Sequence, residues 1–115
     1  MKSYTDIEQS KKLAEILPLE SADMYYWCGE DLRIGGHKAM DIDYDIPCWS
    51  LAALLNYLKS KNKFPDIKEL GDGRFKLTTF IWDGKKSFQI FIANNLVDAC
   101  YKLVLKLHEC EMLCS

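Results

Sequence analysis

Apolar and polar positions alternate along this chain with two distinct periods, and each period marks an element. Ile7, Leu13, Ala14, Ile16 and Leu17 lie broadly on one side of a segment that opens on Thr5-Asp6-Ile7-Glu8 and stops at Pro18. That arrangement predicts a helix over residues 6–17, with Thr5 as N-cap and Glu8 reaching back to it. Met24–Cys28 reads as a short aromatic strand. Gly29, Gly35 and Gly36 among charges over 29–38 read as a hairpin or longer loop. Met40, Ile42 and Tyr44 alternate with Asp41, Asp43 and Asp45, which suggests the returning strand over 39–44.

Asp45-Ile46-Pro47 has the chemistry of a helix start, since a carboxylate caps free N–H groups and proline lacks only a donor that had no partner. Leu51, Leu54, Leu55 and Leu58, joined by Trp49 or Cys48, continue it as an apolar stripe to about Lys59. KSKNKFPD is a connection, and Ile67–Leu70 a short edge strand closed by Gly71-Asp72-Gly73. Arg74–Trp82 and Lys85–Ala93 then read as a hairpin around Asp83-Gly84, because Asp-Gly favours a two-residue turn with positive φ at both positions. Such a turn sets Trp82 opposite Lys85, Phe75 opposite Ile92, Leu77 opposite Ile90 and Thr79 opposite Phe88, which makes an apolar row on one face. Asn94 or Asn95 caps a last helix from Leu96 to about Met112, with Leu96, Cys100, Leu103, Val104 and Leu107 as its buried stripe.

The order is helix, two-stranded excursion, helix, three-stranded meander, helix. The expected fold class is α+β, an antiparallel meander with about three helices packed on the sheet. At 115 residues, residues 1–115 make a single domain, and 49% hydrophobic residues are enough for a real core. No run approaches the length that spans a bilayer, and the first residues lack the apolar run of a secretory signal. Five cysteines, an odd number without a CxxC pair, point to reduced thiols and a cytoplasmic protein.

Chemistry is thinly signalled. The net charge is −2, with residues 1–60 holding 6 basic and 10 acidic groups and 61–115 holding 9 and 7. That balance supplies no field to gather nucleic acid or anionic membrane. Lys59, Lys61 and Lys63 follow a helix end, where they complement its dipole. Cys48, in the first turn of the second predicted helix, is the best candidate nucleophile. Its Cys-Trp pair resembles that of papain-like enzymes, but the preceding Gly-Ser is missing and only His37 or His108 could serve as base. Asp41-x-Asp43-x-Asp45 fails as an EF-hand loop, since Ile46 and Ala52 stand where Gly and Glu belong. His108, Cys110 and Cys114 do not share one helix face. Gly35-Gly36-His37-Lys38 with Arg33 lacks the spacing of a phosphate loop. These residues give no catalytic constellation, no metal site and no cofactor, so the expectation is a non-enzymatic protein.

The second face of the hairpin is more informative. Phe80, Trp82 and Phe91 stand there among Arg74, Lys76 and Lys85, an aromatic-plus-cation surface of the kind that anchors protein partners or stacks bases. Either the first helix or the 24–44 excursion covers it, or it stands open. The expected partner is a protein, with self-association possible through apolar patches and no membrane or nucleic acid required. A weak nucleic-acid-binding or antitoxin-like regulator is the alternative, and a small cysteine hydrolase on Cys48 a remote one.

Asp45-Ile-Pro-Cys-Trp-Ser-Leu-Ala-Ala-Leu-Leu55 and Asn95-Leu-Val-Asp-Ala-Cys-Tyr-Lys-Leu-Val-Leu-Lys-Leu107 carry a resemblance. The chain resembles short uncharacterised proteins of gut bacteria, their phages and mobile elements, which share a mid-chain "IP-x-WSL-x-ALL" segment and a C-terminal "N-x-VDA" helix. The opening TDIEQSKKLAEILPLESADMYYW is similar too. The resemblance implies a small accessory protein of prophage or mobile-element origin and brings no catalytic residues. The α-β-β-β-α order of 47–113 is similar to double-stranded-RNA-binding domains, although the last helix lacks their lysine cluster. The hairpin and "x-D-A" helix are similar to HicB-like antitoxins.

Overall fold

The structure is a computed structural model that describes residues 2–82 and 86–114; the side chains of 82, 86, 87 and 112–114 lie outside that description. It is an α+β fold of three helices and two three-stranded antiparallel sheets. Helix α1 (Ile7–Ala14) is capped one residue later than the sequence suggested. Asp6 accepts from Gln9 N–H at 2.8 Å, and the Gln9 side chain accepts from Asp6 N–H at 3.2 Å. Thr5 is thereby released from capping and is fully buried.

Strands β1 (Met24–Trp27) and β2 (Asp31–Ile34) form a hairpin whose link turns through Cys28 at φ +51° and Gly29 at φ +74°. The left-handed region suits glycine at the second of these positions. The returning strand is β3 (Ile46–Cys48), which pairs with the other side of β1. The expectation of a strand at 39–44 is therefore corrected: these residues form a short 3-10 turn and further turns. Asp45 explains the change. Its carboxylate accepts from Cys28 N–H and Asp41 N–H, each at 2.8 Å, and so ties the hairpin turn to the loop before β3. With Asp45 occupied there, Ser50 caps α2 (Leu51–Ser60) by accepting from Ala53 N–H at 3.1 Å. Cys48 is accordingly on a strand, not in a helical first turn.

The second sheet runs β4–β5–β6, from β4 (Asp66–Glu69), β5 (Phe75–Trp82) and β6 (Lys86–Ala93). Pro65, which has no N–H to donate, precedes β4, and the ladder with β5 reaches only as far as Asp66 opposite Thr78. Residues 83–85, including the expected Asp83-Gly84 turn, lie outside the described residues. The pairing around them corrects the expected register by one: Phe75 faces Ala93, Leu77 faces Phe91, Phe80 faces Phe88 and Trp82 faces Lys86. Three residues, not two, separate the paired ends. Because side chains alternate with period two, this slip turns β6 over relative to β5.

Helix α3 (Leu96–Cys114) covers the inner face of this sheet and packs against α2. Asn95 caps it, accepting from Asp98 N–H at 2.8 Å. The core joins Leu13, Trp49, Leu54, Leu58, Leu77, Ile81, Val97, Leu103 and Val104, each at most 1% exposed. With extents of 41 × 38 × 20 Å the molecule is two layers thick, since a helix on a sheet fills about 20 Å.

Candidate functional site

Odd-numbered residues of β5 and β6 point inward. Leu77, Thr79 and Ile81 are buried, and Phe91 and Ala93 pack against the core. Even-numbered residues make the outer face. There Phe80 is 39% exposed, Phe88 71%, Ile90 57% and Ile92 38%, side by side on neighbouring strands. Phe80 and Phe88 meet edge to face, with ring centroids 5.3 Å apart and planes at 72°. Phe64, also exposed, helps close a hollow of about 330 Å³ with Lys63, Asp66, Thr78, Phe80 and Phe88.

The expected site is thus partly reassembled. Phe80 and Lys76 are on the outer face, Lys76 half-buried opposite Ile92. Phe91 is not: the register turns it inward, a correction to its expected place. Arg74 precedes β5 and its Nε lies 2.7 Å from an Asp72 carboxylate oxygen, so this cation already has a counter-ion. Hydrogen bonds from the Arg74 backbone and side chain, with its charge, hold the Asp72 carboxyl below its ordinary range. The Trp82 side chain and Lys85 lie outside the described residues. Phe88, Ile90 and Ile92 were missed as outer-face residues, and the signal that finds them is the parity of β6 once three residues are counted between the paired ends Trp82 and Lys86.

Two lysines take carbonyls that the ladder leaves over. Lys63 Nζ donates to Phe80 O at 3.0 Å, where β5 runs on beyond β4, and Lys102 Nζ donates to Ile92 O at 2.9 Å. Each of these ammonium groups takes one marginal carbonyl out of reach of a foreign strand.

The other candidates are built differently. Cys48 is fully buried beneath α1, with its thiol donating to Thr5 O at 3.3 Å, and burial pushes its pKa up. A nucleophile needs the opposite shift and an opening to solvent. Asp41 and Asp43 are exposed while Asp45 serves the backbone, and among the described residues no three His, Cys, Asp or Glu side chains gather closely enough to hold a metal ion. The described helices include none long and apolar enough to cross a membrane. A larger hollow of about 460 Å³ lies between residues 18–23 and α2. Two of its polar groups already serve the fold: Asp23 accepts from Ser50, and Ser21 Oγ accepts from Trp49 Nε1 at 2.9 Å. On the first sheet the Arg33 guanidinium sits 5.1 Å from the exposed Trp27 ring, a cation–π pair.

Comparison of the chain with protein-family models, with curated proteins and with solved structures finds no match.

Proposed function

We propose that this chain is a non-enzymatic binding module that docks an amphipathic helix of a partner protein on the outer face of β5 and β6. The row formed by Phe80, Phe88, Ile90 and Ile92 carries this reading, because contiguous exposed apolar surface on a small protein marks an interaction site. The inner face of the same sheet already accommodates α3, and the outer face offers a helix the same width. Lys68 and Lys76 neighbour each other on that face although the whole chain is net negative, so the matching helix carries acidic residues beside its apolar stripe. Three strands of up to eight residues give a face of roughly 14 × 27 Å, and covering it buries about 800 Å² in total, the size of a transient contact.

The nucleic-acid alternative needed rings and free cations interleaved. Phe91 faces the core and Arg74 is paired with Asp72, which favours a protein partner. The test compares proteins retained from native-host lysate by the wild type and by a Phe80→Ser/Phe88→Ser variant, followed by cross-linking through Lys68 and Lys76. A partner retained only by the wild type, cross-linked at those lysines and released by salt, is expected. Equal retention by both forms overturns the reading.

A further inference from the structure

The outer margin of β6 carries an independent inference, because the direction of its backbone groups is fixed by three hydrogen bonds. Leu70 N–H donates to Arg74 O, Phe80 O accepts from Lys63, and Ile92 O accepts from Lys102. In an antiparallel ladder the N–H and C=O of one residue point to the same side, and residues directly opposite exchange both bonds or neither. All three bonds fall on even-numbered residues and point away from the β5–β6 seam. The seam is therefore bonded through the odd residues, and Lys86, Phe88, Ile90 and Ile92 aim their N–H and C=O groups out of the sheet. Of these, Ile92 has its carbonyl capped. Among the described residues no side chain caps 86, 88 or 90, and these three form the uncapped margin.

Ser87 through Asn95 contains no charge and no proline, and is rich in residues that favour strands. Exposed edges normally avoid that composition. We infer that a second copy of this chain pairs its β6 antiparallel to this margin, with Phe88 on the two-fold axis. Phe88 then faces Phe88 of the second copy, and Lys86 faces Ile90 of the second copy. All three uncapped residues bond in this register, which makes six N–H···O bonds about a self-complementary centre. Charge permits it: Lys86 is the one charged residue of β6, and the two copies of it stand four residues, about 14 Å, apart along the strands. The edge-to-face pair of Phe80 and Phe88 continues through Phe88 and Phe80 of the second copy into a row of four rings. Six strands form one sheet, and the outer face remains free for the helix proposed above.

Sedimentation equilibrium from micromolar to millimolar protein tests this. The wild type is expected to rise from 13.3 kDa toward twice that mass. Ile90→Pro removes an outward donor and leaves the bonds to β5 intact, so it is expected to keep the circular-dichroism spectrum and to stay monomeric. Should that variant not fold, Phe88→Lys at an exposed position sets two ammonium groups on the axis and is expected to abolish association in its place. In the wild type, hydrogen exchange at the Phe88 and Ile90 amides slows as the dimer forms. A wild type that remains at 13.3 kDa at millimolar concentration, a dimer that persists in a folded variant, or a dimer that leaves those amides unprotected overturns the inference.

Discussion

Phe88 and Phe91 differ by three positions in one strand, yet the observed register gives them opposite fates. Phe91 packs against the core beneath α3, whereas Phe88 is 71% exposed and touches chiefly the Phe80 ring. Truncating a fully buried phenylalanine to alanine costs about 3–5 kcal/mol, so Phe91→Ala, half-buried, is expected to cost about 2 kcal/mol. Phe88→Ala loses one edge-to-face contact in water, and is expected to cost less than about 1 kcal/mol. At about 4 °C per kcal/mol for a chain of this size, the melting temperatures fall by about 8 °C and by less than about 4 °C respectively. Equilibrium urea unfolding of the two variants, followed by circular dichroism with the slope held common, measures the difference directly. A two-residue turn predicts the reverse order, with Phe88 inward opposite Thr79. Equal losses, or a larger loss at position 88, refute the register and with it the outer face and the β6 margin built on it.

Tyr26 donates its buried hydroxyl to Thr5 O at 2.6 Å, with the Cys48 thiol as a second donor to the same oxygen; Tyr26→Phe is expected to cost about 1–1.5 kcal/mol in urea unfolding. Asn95→Ala removes the cap of α3 and is expected to cost about 1 kcal/mol by the same measurement. Burial opposes ionisation of Asp98, but hydrogen bonds from Lys2, Gln9 and Asn95, with the Lys2 charge, outweigh it and hold the carboxyl below its ordinary range. A depressed native pKa means that the unfolded chain takes up the proton first. This contribution is therefore complete above about pH 4 and is lost as the pH falls through the native value, and Asp98→Asn is expected to flatten the acid side of the melting profile. Among the described cysteines, Cys28 is exposed, while burial pushes the Cys48 thiol up and that of Cys100 up to about 12. Thiol alkylation read by mass spectrometry is expected to modify Cys28 in the native protein and Cys48 and Cys100 only after unfolding; rapid native labelling of Cys48 contradicts the structure.

Local periodicity made the helices legible. Leu51, Leu54 and Leu58 declare a face whatever surrounds them, and Asn95 opens the last helix as its side chain allows. The misread elements depended on distant contacts. Asp45-Ile46-Pro47 has every local mark of a helix start, and it is pairing with β1, some twenty residues upstream, that extends 46–48 into a strand and hands the cap to Ser50. The hairpin was evident, but β6 is apolar at 88, 90 and 92 as well as at 91 and 93, so either face could pass for the inner one. Leu77 and Ile81 on the opposite strand decide it, together with paired ends that stand three residues apart rather than the two that Asp-Gly suggests. The candidate face inherited that ambiguity: Phe80 and Lys76 fall on the outer side as expected, Phe91 falls on the inner one, and the ring beside Phe80 belongs to Phe88.

The amino-terminal arm has a kinetic meaning. Thr5 N–H donates to Trp49 O and Leu51 N–H to Ser3 O, each at 2.9 Å, while Lys2 lies 2.8 Å from Asp98, ninety-six positions along the chain. Closing loops of that span costs entropy before the contacts reward it, so the arm is expected to fasten after the helices and hairpin have formed. Until it closes, Tyr26 and Cys48 lack the Thr5 carbonyl they share. Refolding should therefore end in a slow phase in which those two side chains are sealed from water, and shortening the arm should remove that phase without erasing the helices.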